Sequence, residues 1–291
     1  MVVLIAGGTG FIGKATEQAF LAHGFKSLVL SRFPTKPNHI LWNPSAPFKG
    51  DDRLSEVTHV VNLMGESIAT KRWTESRKIA LTQSRVETTH YLFDLCKEHC
   101  PKLTSYIGIS GVNAYGYSNT ITRDESDAFG TDFLSQLIQK WETAHRDFEF
   151  LPSFHMIRLG MVLSNKGGAY ESLSPLLKKG LGAVPGSGEQ YVPWIHLDDV
   201  SNLICFLSQQ PQKSVVHGVA GCCTQMELMV AMATSLQRKI RLPNLPAFAL
   251  QLILGERSEL LTKSLMVSTQ KIYALPFELE FKEMTDTLFK Q

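Results

Sequence analysis

Gly7, Gly10 and Gly13 follow a short apolar run, Val2-Val3-Leu4-Ile5-Ala6, and open a helical pattern carried by Phe11, Ile12, Ala15, Ala19 and Phe20. Strand, tight turn and helix in that order make a phosphate cradle. Glycine at Gly7 permits the turn, glycine at Gly10 lets the backbone approach a pyrophosphate, and Gly13 lets the helix pack close on the strand. The helix N-terminus adds free N–H groups and a partial positive charge. Thr9, Phe11 and Ile12 belong to the same turn and are candidate contacts of the same ligand. The chemistry this predicts is dinucleotide binding.

Which dinucleotide is decided about twenty residues further on, where a strand end that selects NAD carries Asp or Glu for the ribose hydroxyls. The second apolar run, Leu28-Val29-Leu30, ends instead at Ser31-Arg32. A hydroxyl and a guanidinium donate to a 2′-phosphate, which a carboxylate would repel. The expected cofactor is therefore NADP(H).

These residues need a scaffold, and the chain supplies alternating elements. His39 to Trp42 reads as a short third strand, and Val60-Val61-Asn62-Leu63-Met64-Gly65 as a buried strand that stops at glycine. Trp73 to Cys100 is helical, with Ile79, Leu81, Val86, Leu92 and Leu95 on its apolar side and Pro101 closing it. Leu103 to Ser110 is a further strand, Asp132 to Glu149 a helix, and Phe154 to Leu163 a strand. That alternation predicts an α/β protein with a Rossmann-type, doubly wound parallel sheet. Beyond Leu163 it weakens into glycine-rich loops, a strand at Val215 to Val219, a helix near Glu227 and a terminal helix near Thr287. Residues 1–165 with about 195–220 are expected to form the dinucleotide domain. About 166–194 with 221–291 would then form a smaller substrate-side lobe.

Composition excludes other classes. The 291 residues carry 29 basic and 27 acidic side chains, a net charge of +2, so nothing in the total points to nucleic acid or a membrane surface as partner. Five cysteines, an odd number without metal-ligand spacing, read as small core residues in a reducing compartment; no metal is expected, and the expected location is the cytoplasm. Cys96 and Cys100 share a helix face but have no histidine at suitable spacing. The first apolar run is too short, and lacks the basic leader, for a signal peptide, and no run is long enough to span a membrane. The expected partner is a small molecule; the oligomeric state is not legible.

The turn Gly-Gly-Thr-Gly-Phe-Ile-Gly resembles that of the extended and atypical short-chain dehydrogenase/reductases. Ser31-Arg32, Asn62-Leu63-Met64-Gly65-Glu66, Arg72-Trp73, Ser84-Arg85, Trp141-Glu142, Arg158 to Leu163, Pro193-Trp194-Ile195-His196 and Leu254 to Leu261 extend the likeness over essentially the whole chain. Together they resemble the nucleoside-diphosphate-sugar epimerase-like group, whose bacterial members also carry an old cell-division-inhibitor label and a small C-terminal domain. The resemblance implies that Leu63, Met64, Gly65, Arg85 and Val162 touch the cofactor, and that Arg158, Trp194 and His196 lie on the substrate side.

One departure bears on mechanism. Extended enzymes of this kind use a Tyr-x-x-x-Lys pair as proton relay. With Glu142 setting the helix register those positions hold Leu134 and Ile138; with Lys140 as the lysine the tyrosine position holds Gln136. The usual Ser or Thr is Gly111, beside Ser110. Two readings follow: a reductase of small carbonyl compounds whose proton donor is relocated to Tyr115, Ser110 or His196, or an NADP(H)-binding sensor or regulatory protein, with a link to cell division implied only by the old label.

Overall fold

The computed structural model describes residues 1–44, 46–165 and 167–285. The first half runs β1 (Val2–Ala6), α1 (Phe11–Ala22), β2 (Lys26–Ser31), β3 (His39–Leu41), β4 (His59–Asn62), α2 (Glu75–His99), β5 (Ser105–Gly111), β6 (Thr122–Arg123) and α3 (Phe133–His145). The second half runs β7 (Ser153–Leu159), β8 (Met161–Leu163), α4 (Gly168–Lys178), β9 (Tyr191–His196), α5 (Leu197–Ser208), β10 (Lys213–Gly218), β11 (Gly221–Thr224), α6 (Gln225–Ser235), α7 (Ala247–Leu254), α8 (Glu259–Thr262), β12 (Met266–Val267) and α9 (Gln270–Ala274). The terminal helix expected near Thr287 lies outside the described residues.

Seven strands pair in parallel in the order β10-β7-β5-β4-β1-β2-β3. The apolar strands read from the sequence are these, buried on both faces as a parallel sheet between helices requires. α1 packs with α5, and α2 with α3. The chain reverses its direction of travel across the sheet at β1, and the crevice beyond the carboxyl ends of strands at such a point is where doubly wound folds bind ligands. Helix starts match their residues: Thr74, Asp132 and Thr224 cap α2, α3 and α6, and Thr224 forms a reciprocal capping box with Glu227. Along α2, Leu81, Leu92 and Leu95 are buried, but Ile79 faces solvent.

The strand expected over Phe154–Leu163 is two strands in different sheets. β7 belongs to the main sheet, while β8 pairs with β9 in a three-stranded sheet ordered β11-β9-β8. Gly160 stands between them. Its N–H donates to the Gly218 carbonyl at 3.1 Å, and a Cβ there would lie 2.7 Å from the Pro193 carbonyl oxygen, so only glycine allows the two sheets to meet so closely. β6 and β12 form a further two-stranded parallel pair. The helix expected to reach Glu149 ends at His145 and passes into a 3-10 turn.

Candidate dinucleotide site and the polar network beside it

Gly7 adopts φ +84°, and its carbonyl accepts the Gly10 N–H at 3.0 Å, closing the turn. A Cβ at Gly13 would stand 2.3 Å from the Gly7 oxygen, which is the close helix-to-strand approach. A Cβ at Gly10 would meet only that same oxygen, at 3.3 Å, and otherwise open space. Gly10 caps α1 without a side-chain hydrogen bond, and the first turn holds no carboxylate, so the helix N-terminus is available to an anion. Thr9 and Gly10 are exposed, with Phe11 and Ile12 partly so. The Phe11 ring underlies Gly167 and Gly168, where the chain leaves β8 just past Val162.

The sheet register brings the flanking residues together. Ala6 pairs with Leu30 on one side and Asn62 on the other, so Gly7 sits between Ser31 and Leu63. Ser31 is buried, and its hydroxyl accepts the Phe33 N–H at 3.1 Å; it shapes the turn that leaves Arg32 exposed at the strand end. The segment from Arg32 to Asn38 holds no Asp or Glu. Opposite, Leu63, Met64 and Gly65 form the wall, fixed by Asn62, whose Oδ1 accepts the Met64 N–H at 3.1 Å while its amide donates to Thr89 and Tyr106.

Arg85 is buried, not a surface side chain. Its guanidinium donates to the carbonyls of Leu81 at 3.1 Å and Glu66 at 2.8 Å and lies over the Trp141 ring. Burial brings its pKa down to about 10. Through the Glu66 carbonyl it ties α2 to the loop after β4.

The residues expected to handle protons and substrate are brought together, but into a closed network. Glu142 on α3 accepts from Ser110 Oγ at 2.7 Å and from Arg158 Nε and Nη2 at 2.7 and 2.8 Å. Arg158 Nη1 also donates to the Tyr115 hydroxyl. His217 Nδ1 faces the Ser268 carbonyl at 2.9 Å and must donate to it; its Nε2, 2.6 Å from the Tyr115 oxygen, therefore accepts the tyrosine proton. Burial pushes the Tyr115 phenol up to about 12, although Arg158 acts against this. The hydroxyl of Tyr115, the hydroxyl of Ser110 and the guanidinium of Arg158 thus all have protein partners within one connected network. Trp194 is buried in β9, where its carbonyl accepts the Ala220 N–H at 2.8 Å. His196 caps α5 by accepting the Asp198 N–H at 3.2 Å and stacks near Phe281. Glu125, which accepts the His217 N–H at 2.9 Å, and His217 itself were not read from the sequence. A glutamate on the apolar face of a helix and an arginine inside a buried strand were the one available signal for the Glu142–Arg158 pair.

At the positions that the Glu142 register gives the relay, α3 buries Leu134 and Ile138, and a Cβ at Gly111 would touch Ile138 at 3.6 Å. Tyr117 packs against this apolar cluster with its hydroxyl buried and without a hydrogen-bond partner among the described residues. Burial raises its pKa, reinforced by Glu259 and Asp132, and the Asn113 side chain acts in the opposite direction.

A dinucleotide fits this architecture: the open position over Gly10, the uncapped N-terminus of α1 and the exposed Arg32 lie along one edge of the sheet at its switch point. Fold and cradle together define a Rossmann-type protein of the extended short-chain dehydrogenase/reductase class. The profile of the NAD dependent epimerase/dehydratase family matches residues 3–135. Mouse epimerase family protein SDR39U1 is 32% identical over 99% of this chain and 98% of its own length. The Mycobacterium bovis epimerase family protein Mb2239 is 35% identical over 88% of this chain and 85% of its own. The crystal structure of human SDR39U1 with NADPH superposes with a TM-score of 0.87 at 30% identity, covering 100% of this chain and 98% of that one. A Corynebacterium glutamicum nucleoside-diphosphate sugar epimerase, at 24% identity and TM-score 0.77, shares the fold. The chain belongs to the epimerase family represented by SDR39U1.

Proposed function

We propose that the chain binds NADP(H) at the β1–α1 turn and reduces small carbonyl or enone compounds without the Tyr-x-x-x-Lys relay. Gly7, Gly10 and the first turn of α1 would hold the pyrophosphate, Arg32 the 2′-phosphate, and Leu63 to Gly65 the wall beside the adenosine. When bound, NADPH supplies a hydride. The human relative crystallised with NADPH supports the choice of cofactor.

The observation that carries the catalytic reading is Tyr117. A buried hydroxyl without a partner costs about 1–3 kcal/mol, and such a group in a native fold calls for a reason. Its place in the cluster with Leu134 and Ile138 lets it donate to a substrate oxygen where the relay tyrosine is missing. Tyr117→Phe keeps the ring and removes only that donor. NADPH oxidation across a panel of aldehydes, ketones and enones should fall at least tenfold in kcat with NADPH affinity unchanged. Equal turnover in the variant removes Tyr117 from the reaction.

A second reading is favoured by the closed Ser110–Glu142–Arg158–Tyr115–His217 network: bound NADP(H) serves a sensor or regulatory role. Tight NADPH binding with no oxidation by any member of the panel selects it.

A further inference from the structure

Helix α7, Ala-Phe-Ala-Leu-Gln-Leu-Ile-Leu, is apolar on nearly every side, yet only Leu250 of its residues is buried. Phe248, Leu252 and Ile253 are 75, 79 and 67% exposed. A helix apolar all round belongs in a protein core or a membrane phase. The preceding segment is basic: Arg238, Lys239 and Arg241 are exposed and form no ion pair among the described residues.

A second segment joins the same face. Leu245 N–H donates to the Val184 carbonyl at 2.8 Å and its carbonyl accepts from Gly186 at 2.9 Å, which seats the approach to α7 against the loop after α4. Lys178 at the end of α4 and Lys179 and Leu181 in that loop are exposed. Residues 172–188 and 228–255 contain five cations and no Asp or Glu. Of the four carboxylates at their edges, Glu171 and Glu189 are exposed, Glu227 closes the α6 capping box and Glu256 pairs with Lys78 at 2.8 Å. The near-neutral total charge of the chain conceals this local asymmetry.

We propose that this face docks on an anionic lipid bilayer. Protruding Phe248, Leu252 and Ile253 enter the headgroup–acyl boundary, while Arg238, Lys239, Arg241, Lys178 and Lys179 meet the lipid phosphates, the two-part pattern of an interfacial helix. A second copy of the chain fits the face less well, because a two-fold contact would set its cations against themselves. The inference is independent of the proposed reaction.

The test is flotation of the full chain with phosphatidylcholine vesicles and with mixed phosphatidylcholine–phosphatidylglycerol vesicles at low and high salt. Binding to the mixed vesicles alone, weakened by salt, is the expected result. The triple variant Arg238→Glu/Lys239→Glu/Arg241→Glu should weaken partitioning at least about tenfold, given roughly fivefold per cation at an anionic surface. Phe248→Ser/Leu252→Ser should abolish it; all five positions are exposed, so both variants should keep the parent far-UV spectrum and NADPH affinity. No flotation of the parent with mixed vesicles overturns the proposal, as does equal flotation of both variants. A dimer in light scattering that Phe248→Ser/Leu252→Ser turns into a monomer assigns the face to a second copy of the chain instead.

Discussion

Arg158 and Glu142 meet through two parallel hydrogen bonds, Nε to Oε1 at 2.7 Å and Nη2 to Oε2 at 2.8 Å, with both side chains almost fully buried. Burial alone would lower the arginine pKa, but the carboxylate outweighs it and holds the guanidinium charged. Removing one member leaves the other charged without its partner, which costs about 3–5 kcal/mol, whereas replacing both with apolar residues is often neutral. Arg158→Met and Glu142→Leu should each lower urea stability by that amount, and the double variant should recover much of the loss. Single variants within 1 kcal/mol of the parent, on the scale of ordinary surface changes of about 0.5 kcal/mol, would show the pair to be structurally idle.

In the proposed site Arg32 is the cation that would distinguish the two dinucleotides. The parent should bind NADPH at least tenfold more tightly than NADH, and Arg32→Ala should remove most of the difference, about 1.5–3 kcal/mol for a charge-assisted contact. Fluorescence titration with both cofactors measures it. Equal parent affinities for the two would refute the assignment of Arg32.

The glycines of the turn should separate by function. Gly10→Val adds atoms over open space, so the protein should fold and lose NADPH binding; Gly13→Val places a side chain 2.3 Å from the Gly7 carbonyl and should destabilise the fold itself. Circular dichroism with cofactor titration tells the two outcomes apart. A folded Gly10→Val protein that still binds NADPH would place the phosphates elsewhere.

Leu134 and Ile138 transfer no protons, and positioned acid–base groups contribute about a hundred- to ten-thousandfold. Tyr117, its pKa raised by burial, would donate a proton but not take one from a sugar hydroxyl, so nucleotide-sugar interconversion should be reduced to a trace. Incubation of the protein, loaded with oxidised NADP+, with UDP-glucose, followed by chromatography, checks this, and brisk epimerisation would contradict the assignment of the relay positions.

His145 is buried between the Tyr106 hydroxyl and the Ile109 carbonyl, and burial depresses its pKa to about 4; burial does the same to His59. The unfolded chain binds these protons near pH 6.5, so between about pH 6.5 and 4 it takes up more protons than the fold does. Stability is fully present above pH 6.5 and declines as pH falls through that window, by about 3 kcal/mol for a fully buried imidazole. Urea midpoints at pH 7.5 and 5 should differ in that direction, and the slope should flatten in His145→Gln. A slope unchanged by that substitution would show His145 not to be its source.

The main sheet was legible because each parallel strand is a short apolar run between turn residues, and the cradle because glycine spacing has a backbone meaning. The break at Gly160 was not: strand residues on either side of it are equally apolar, and only the approach of Pro193, far along the chain, requires the glycine. The fates of Tyr115, Ser110 and Arg158 were hidden for a similar reason. The types of Tyr115 and Ser110 fit proton transfer and that of Arg158 fits an anion, but their hydrogen-bond partners Glu142 and His217 are distant in sequence and meet them only when β5, β7, α3 and β10 assemble. Tyr117 carried no signal, since an orphaned hydroxyl is a property of the packed state.

Gly160 has a mechanical consequence. β7 and β8 are consecutive strands joined through one residue, and that residue is bonded to β10 and wedged against β9. The two sheets are welded rather than hinged. A clamp that shuts over a ligand is therefore expected from the peripheral helices and loops, with the sheets serving as a fixed anvil.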